Sequence, residues 1–250
     1  MIKTENFFVY GRNPVIESAK LQSNSVSKIF IKNSIPPNSY SDLTALIKAN
    51  RIPFVTVPEK KIEKLVGYVN HQGFVAQLTT IEYTDFFTWA EEIDLSKNPA
   101  VLLLDSIEDP HNFGAILRTA AAAGISAVIV PSQNQAPLNA TVFKTSAGTA
   151  GRIPVIRVQT IQQGFKDLKL AGFTVLALDG SSDTTIWESQ IDEPVAFVIG
   201  NEGRGVSDKL MKVVDGSLML PMENDVESLN ASVTAALVCY EWKRKKLSVE

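Results

Sequence analysis

Three short apolar runs after residue 100 each lead into a loop rich in Asn, Glu, Arg and Gly. The runs occupy residues 101–104, 195–199 and 218–220. An alanine-rich stretch, 112–123, follows the first run and predicts a helix that stops at Gly124, with another apolar run at 127–130. Strand, loop, helix and strand in this order predict a parallel βαβ unit. Polar residues after parallel strands meet at the carboxyl edge of one sheet, where open α/β sheets bind ligands.

The last run opens into a polar loop and then a long helix, which we expect to span residues 230–246. Ser228 and Asn230 lie where this helix begins, and short polar side chains at that position satisfy free backbone N–H groups. Taken alone, the pair is explained by helix capping. The other two loops favour a functional interpretation instead.

These loops resemble the three motifs of the SpoU branch of the SPOUT superfamily, the S-adenosylmethionine-dependent RNA ribose 2′-O-methyltransferases. The motif residues here are Asp109-Pro110-His111-Asn112-Phe113-Gly114 with Arg118, then Gly200-Asn201-Glu202-Gly203, then Leu220-Pro221-Met222 with Ser228-Leu229-Asn230. The resemblance implies an α/β catalytic domain with a parallel SPOUT sheet and a C-terminal trefoil knot. One departure is Asn224-Asp225, where relatives commonly have glycine. Asn and Asp tolerate left-handed conformations, so we expect the loop to keep its shape.

Methyl transfer to a ribose needs a hydroxyl aligned with the methyl group and some means of stabilising charge on its oxygen. From the resemblance, the expected catalytic residues are Arg118, Asn112, Glu202, Ser228 and Asn230. A free guanidinium deprotonates only above about pH 12, so we expect Arg118 to clamp phosphate or stabilise charge rather than act as a base. The alternative is a structural ion pair between Arg118 and Glu202.

The same resemblance implies that S-adenosylmethionine is held largely by backbone groups at the strand ends. The expected cofactor-binding residues are Leu178, Gly200, Leu220, Met222, Ser228 and Leu229. Gly200 is expected to let the chain approach the ligand closely because it lacks a Cβ atom. Leu220 and Leu229 are expected to form apolar walls for adenine.

Other kinds of chemistry find weaker support in the sequence. Gly200, Gly203 and Gly205 have the reverse spacing of the dinucleotide fingerprint, which argues against a nicotinamide enzyme, and no phosphate-binding P-loop pattern is present. Two histidines and one cysteine, Cys239, cannot build a histidine- or cysteine-rich metal site, so we expect no metal. His111 is expected to pack or hydrogen-bond within its loop, and Cys239 to lie in the core.

The N-terminal residues predict a separate small α/β domain. The segments Gly11-Arg12-Asn13-Pro14-Val15 and Asn70-His71-Gln72-Gly73-Phe74-Val75-Ala76 resemble the start and end of a ribosomal-protein-like RNA-binding domain. Such a domain precedes the catalytic one in SpoU enzymes that modify 23S ribosomal RNA, so the resemblance favours a 23S rRNA guanosine-2′-O-methyltransferase. A tRNA enzyme is the alternative, and a non-catalytic RNA-binding or ribosome-assembly protein on the same fold is a second. We expect an RNA-binding domain at 1–80, an acidic linker at 81–98 and a catalytic domain at 99–250.

Charge is distributed unevenly along the 250 residues. Residues 1–80 hold ten Lys and Arg against five Asp and Glu, whereas the whole chain has a net charge of −3. A basic module attached to an acidic catalytic domain is suited to RNA capture, although a solvated lysine-rich surface would look similar. The expected RNA-binding residues are Arg12, Lys28, Lys32, Lys60, Lys61 and Lys64.

Two further expectations concern location and assembly. The sequence has no apolar run of 18 residues and opens without a signal peptide, so we expect a cytoplasmic protein that does not enter membranes. The last helix carries more apolar side chains than one face of a monomer's helix needs. They are Val233, Leu237, Val238, Tyr240 and Trp242. We therefore expect a homodimer, as in SpoU relatives.

Overall fold

The computed structural model describes residues 7–21, 23–78, 83–201 and 203–248. Its contacts divide the chain into two compact units, one of residues 1–82 with 138–152 and one of residues 83–137 with 153–250. The expected domain boundaries gave residues 138–152 to the catalytic domain. In the structure this segment packs with the N-terminal unit instead.

The helices and strands are numbered in chain order. The strands are β1 Phe7–Tyr10, β2 Val26–Lys32, β3 Phe54–Val57, β4 Phe74–Leu78, β5 Ala100–Leu104, β6 Ala127–Pro131, β7 Val155–Val158, β8 Thr174–Leu178, β9 Val195–Ile199 and β10 Gly216–Leu218. The α-helices are α1 Arg12–Leu21, α2 Ser41–Ala49, α3 Glu59–Val66, α4 Phe86–Glu92, α5 Pro110–Ala123, α6 Ala140–Thr145, α7 Ile161–Leu170, α8 Asp208–Met211 and α9 Ala231–Leu247.

The N-terminal unit is built on a four-stranded sheet with the order β1-β4-β2-β3. Only the β2–β3 pair is parallel; β4 runs antiparallel to both of its neighbours. The 138–152 segment is bound to this unit by polar contacts. Arg152 Nε donates to Glu17 Oε2 at 2.8 Å, and Lys144 Nζ donates to the hydroxyl of Tyr10 at 2.8 Å.

The second unit is built on a six-stranded sheet with the order β10-β8-β9-β5-β6-β7, in which every pair is parallel. Every residue of β5, β6 and β9 is buried. Continuous apolar runs of this kind are typical of parallel strands covered on both faces. Because all six strands run the same way, their carboxyl ends share one edge of the sheet.

Helix α5 begins and ends with side-chain and backbone signals that its sequence contains. Asp109 caps it by accepting the backbone N–H of His111, and Pro110 fills the first turn. Gly124 ends the helix in a left-handed conformation with φ of 84°. The predicted helix is confirmed, with its start two residues earlier than expected. One face of α5 packs against α9.

The described part of the acidic linker belongs to the second unit. Its helix α4 buries Phe86 and Trp89 in the core, and Trp89 stacks on Phe173 with 5.9 Å between ring centroids. Cys239 of α9 is fully buried, as expected, and this burial raises the pKa of its thiol to about 12. A thiol that stays protonated at neutral pH is a poor nucleophile, so Cys239 serves packing.

No helix in the described ranges is long and apolar enough to cross a bilayer.

Candidate active site

A cleft of about 530 Å³ opens at the carboxyl edge of the six-stranded sheet. Three loops form it: the one after β8, the one after β9, and the one between β10 and α9. Its wall includes all six residues expected to bind cofactor, namely Leu178, Gly200, Leu220, Met222, Ser228 and Leu229. The cleft therefore lies where the order of the strands predicts a ligand site.

The loop after β9 is closed by its own backbone. Asn201 N donates to Gly205 O at 3.0 Å, and Gly205 N donates to Asn201 O at 2.8 Å. A Cβ atom on Gly200 would lie 2.2–2.4 Å from backbone atoms of Gly205 and Val206. Gly200 was expected to be glycine so that a ligand could approach. The structure supplies a different reason, because the chain folds back directly against it.

The loop before α9 differs from expectation in one respect. Asn230 is the N-cap of α9, and its Oδ1 accepts the backbone N–H groups of Ser232 and Val233. Ser228 does not cap the helix; it is exposed and lines the cleft. Asn224 and Asp225 have φ of 55° and 56°, so the expected left-handed conformations are confirmed.

Two of the expected catalytic residues are in contact. Asn230 Nδ2 donates to Asn112 Oδ1 at 3.1 Å, which joins the start of α9 to the first turn of α5. The Oδ1 atom of Asn230 is occupied by the cap, so both polar ends of this side chain are fixed. A side chain held at both ends is pre-organised to orient a substrate.

Of the other expected catalytic residues, Ser228 lines the cleft, whereas Arg118 is outside its described lining. Arg118 is exposed on α5, six residues and about 9 Å along the helix from Asn112. It is not among the described residues that line the cleft. Glu202 lies outside the described residues, and so does any ion pair it makes with Arg118. The imidazole of His111, expected to pack within its loop, is exposed at the start of α5.

The six basic residues expected to bind RNA fall into two groups. Arg12 is paired with Asp42 at 2.9 Å, Lys32 with Glu59 at 2.8 Å, and Lys28 lies over the Phe30 ring. The other three, on α3, are exposed and have no ion pair within the described ranges. They are Lys60, Lys61 and Lys64.

Sequence reasoning missed several residues of the cleft. Asp179 and Gly180 follow β8 directly, and the strand-exit argument used for the other loops would have found them. Asp208, Glu227 and Thr234 also line the cleft. These residues carry no signal in the sequence alone, because the positions of α8 and of the chain after β10 bring them there.

Comparison with known proteins agrees with this architecture. Residues 99–240 match the SpoU rRNA methylase family, and residues 8–84 match the RNA 2′-O ribose methyltransferase substrate-binding domain. A Staphylococcus saprophyticus protein assigned to the TrmH family of tRNA/rRNA methyltransferases is 36% identical over 97% of each chain. The chain belongs to the SpoU rRNA methylase family. As a member of that family it is an RNA 2′-O-ribose methyltransferase.

Solved structures show the same fold. An AdoMet-bound rRNA methyltransferase from Sinorhizobium meliloti aligns with a TM-score of 0.81 and 23% identity, covering 96% of this chain and 88% of its own. A TrmH/SpoU tRNA-modifying enzyme from A. aeolicus aligns with a TM-score of 0.56 and 24% identity, covering 66% and 83%. Both alignments support the SPOUT fold of the SpoU enzymes and a parallel catalytic sheet.

Replacing Gly200 by alanine should destabilise the loop after β9, because the new methyl group and the backbone of Gly205 cannot both keep their positions. We expect the free energy of unfolding to fall by about 1–3 kcal/mol or more, as measured by chemical denaturation. Gly203→Ala is the matched control, since a Cβ there meets only the Asn201 side chain at 3.7 Å. Equal stabilities for the two variants would contradict the account of Gly200.

Proposed function

We propose that this protein transfers a methyl group from S-adenosylmethionine to the 2′-hydroxyl of a guanosine in 23S ribosomal RNA, in the cytoplasm. The observation that carries the proposal is the convergence of three loops on one cleft at the carboxyl edge of the sheet. Asn112 and Asn230 are joined at the start of two helices, and the neighbours of Asn230 on both sides line that cleft.

The cleft fits S-adenosylmethionine in size and in chemistry. Its volume lies within the range of about 300–1,000 Å³ that small-molecule sites occupy. Leu178, Leu220 and Leu229 offer apolar surface to a flat base. The carboxylates of Asp179, Asp208 and Glu227 outnumber the one guanidinium, that of Arg204, on the described wall, which favours a ligand that carries positive charge. The bound cofactor would supply an activated methyl group on a sulfonium; the departing thioether is neutral, so the reaction needs no metal.

The chain's own residues would orient the ribose and take up charge. The mutual bond of Asn112 and Asn230 holds both side chains in fixed rotamers, so they would orient a nucleotide with little rotamer entropy to lose. Arg118 offers a planar guanidinium to a phosphate or to the hydroxyl oxygen as its proton passes to water. The Arg118 side chain is exposed and so remains available to RNA.

A second copy of the chain would explain why Arg118 is absent from the described lining of the cleft. Val233, Leu237 and Tyr240 are exposed on one face of α9, at the i, i+4, i+7 spacing of an unpartnered apolar stripe. Helix α9 packs on α5, the helix that carries Arg118. We therefore propose a homodimer that pairs through α9 and places one protomer's Arg118 at its partner's cleft.

Light scattering of the protein at micromolar concentration should find the dimer. A monomer at that concentration would contradict the proposal.

The choice of ribosomal RNA is supported by the N-terminal unit. Residues 8–84 match a substrate-binding domain, and the Sinorhizobium meliloti rRNA enzyme aligns over nearly the whole chain. The A. aeolicus tRNA enzyme covers only two thirds of it. Transfer RNA is the second candidate, because the Staphylococcus saprophyticus relative is assigned to a family that takes tRNA or rRNA.

The surface proposed to capture RNA combines charge with an aromatic ring. Lys60, Lys61 and Lys64 lie on one side of α3, away from the buried Ile62. Tyr68 follows this helix after one glycine, and the residue is 94% exposed. Lysines attract the phosphate backbone, and an exposed ring can stack on an unpaired base. Of the other residues expected to bind RNA, Lys28 is half-buried. Arg12 and Lys32 each form an ion pair with a carboxylate, and each would have to give up that ion pair to bind an RNA phosphate.

We also propose that the segment from β10 to α9 is knotted through the second unit. Two contacts support this proposal. Asn230 reaches Asn112, which lies 118 residues earlier, and α9 packs across α5 after the sheet has been completed. The family resemblance of the three loops adds to this support.

Methyl transfer to defined RNAs tests the proposed function. Purified protein and labelled cofactor should methylate a ribose in 23S rRNA and leave tRNA unmodified. Comparison of ribose methylation in cells with and without the gene would then locate the nucleotide. Methylation of tRNA alone would establish the second candidate. Tight RNA binding without methyl transfer to either RNA would indicate a non-catalytic assembly protein.

Arg118→Ala should lower methyl transfer by at least about a hundredfold, as expected for loss of a charge-stabilising group. The melting temperature and the cofactor affinity should stay unchanged, because Arg118 is exposed and does not line the described cleft. Arg118→Lys is the control, since it keeps the charge but not the planar fork and should retain partial activity. Unfolding of the alanine variant would instead assign Arg118 a structural role.

Replacing Lys60, Lys61 and Lys64 together by alanine should weaken RNA binding and flatten its dependence on salt concentration, because fewer counterions are released. Tyr68→Leu should weaken binding without changing the salt dependence, while Tyr68→Phe should bind as the wild type does. Filter binding at several salt concentrations measures both effects. An unchanged salt dependence in the triple variant would show that RNA binds elsewhere.

A further inference from the structure

A buried carboxylate that the proposed chemistry does not use lies at the end of β5. The side chain of Asp105 is nearly enclosed, with 5% of the residue exposed, and it has no ion pair among the described residues. A buried charge without a counter-ion is costly unless hydrogen bonds satisfy it. Residue 105 is therefore a site where an apolar side chain would be expected if packing alone mattered.

The hydrogen bonds of Asp105 connect two separate loops. Its Oδ2 accepts the backbone N–H of Ser207 at 2.9 Å, and its Oδ1 accepts the hydroxyl of Ser106 at 3.1 Å. Its own N–H donates to Ile199 O at 2.8 Å. The carboxylate thus joins the exit of β5 to the far end of the loop that follows β9.

A second bond between the same loops lies next to the first. The Nδ2 atom of Asn201 donates to Ser106 O at 3.0 Å, and its Oδ1 accepts the N–H of Gly203 at 3.0 Å. Ser106 has φ of 66°, an uncommon conformation for a residue other than glycine. Such a conformation persists where the surrounding contacts hold it. Asp105 and Asn201 supply those contacts from both sides.

We propose that Asp105 is a positioning residue for the cofactor cleft, acting by fixing the 200–207 loop against the end of β5. Five described residues of that loop, together with Gly200, form one side of the cleft. The loop residues that line it are Asn201, Gly203, Arg204, Gly205 and Val206. The inference rests on the proposed binding of S-adenosylmethionine there. Asp105 itself is not among the described residues that line the cleft and is not a catalytic residue.

Two substitutions of Ser207 test the hydrogen bond between its N–H and Asp105 separately from the packing of its side chain. Ser207 Oγ is buried without a hydrogen-bond partner within the described chain, so Ser207→Ala should be neutral or slightly stabilising. Ser207→Pro removes the N–H that Asp105 accepts. The Ser207 φ of −61° is the value that proline adopts, so the ring fits the local backbone at that residue.

Asp215 provides a matched control at the opposite edge of the sheet. Its carboxylate also accepts a backbone N–H, that of Val175 at 2.7 Å, near the amino end of β8. It does not line the described cleft. Asp215→Ala should therefore lower the melting temperature without changing the geometry of the 200–207 loop.

The experiment measures two properties of the full-length protein. Hydrogen exchange of the amides in residues 200–207 reports the loop without any ligand. Calorimetry with S-adenosylhomocysteine, the demethylated cofactor, reports the cleft. Asp105→Ala and Ser207→Pro should each speed exchange and weaken binding by about tenfold or more, as for loss of a hydrogen bond to a charged group. Asp105→Asn should give an exchange rate and an affinity between those of these two variants and those of the wild type. Ser207→Ala and Asp215→Ala should have the exchange rate and the affinity of the wild type.

The double variant with Asp105→Ala and Ser207→Pro should be no worse than Asp105→Ala alone, because Asp105→Ala already removes the bond to the Ser207 N–H. Wild-type exchange and affinity in folded Asp105→Ala and Ser207→Pro would overturn the proposal. So would equal loosening of the loop in Asp215→Ala. If the wild type itself fails to bind S-adenosylhomocysteine, the proposed cofactor is wrong, and the exchange measurements still decide whether Asp105 holds the loop. If Asp105→Ala does not fold, Asp105→Asn and Ser207→Pro carry the test.

Discussion

The parallel direction of all six strands in the second unit is the constraint on which the site depends. Because the strands are parallel, all their carboxyl ends lie at one edge of the sheet, and loops that are far apart in the sequence meet there. The buried strands β5 and β9 lie side by side in the sheet, and their exits therefore begin next to each other. The hydrogen bonds of Asp105 and Asn201 then connect the residues after β5 with the loop after β9. The sheet fixes where the loops start, and the polar side chains fix where they end.

Stability and function make different demands at this edge. The strands are apolar and packed on both sides, whereas the loops after them contain a buried carboxylate, a non-glycine residue with positive φ and a glycine pressed against backbone. Features of this kind cost free energy and persist only where neighbouring contacts hold them. The occurrence of all three features beside the cleft supports a functional origin. The amino edge shows the contrasting case, because Asp215 there is paired with Lys169 at 2.7 Å.

Several elements of the second unit, among them β5, β6, β9, α5 and α9, could be predicted because their signals are local, whereas β7 and α7 were not predicted. The stretch 112–123 is rich in alanine and ends at a glycine, and 195–199 is uniformly apolar, so neither needs tertiary information. Positions set by the return of the chain could not be predicted. Ser228 and Asn230 look equivalent in the sequence, yet only Asn230 reaches the free N–H groups of α9. The reason for glycine at 200 depends on residues 205 and 206 folding back, which spacing alone does not reveal. The packing of 138–152 with the N-terminal unit depends on contacts more than a hundred residues apart in the sequence, such as Arg152 with Glu17.

Arg118 and Asn112 lie on the same helix, α5, but project in different directions. Along an α-helix six residues correspond to a rotation of about 600°, so Arg118 projects about 120° away from the direction of Asn112. Asn112 contacts the start of α9, which is bordered by cleft residues, and Arg118 therefore faces a different direction from the same helix. One rigid α5 cannot place both side chains on the same nucleotide in one cleft. The substrate would have to extend from the position of Asn112 to that of Arg118. RNA can do so by lying across α5 with its phosphate on Arg118, or a second protomer can bring its own Arg118 to the cleft. The exposed apolar stripe of α9, next to α5, favours the second arrangement, because it gives that protomer a surface on which to pack.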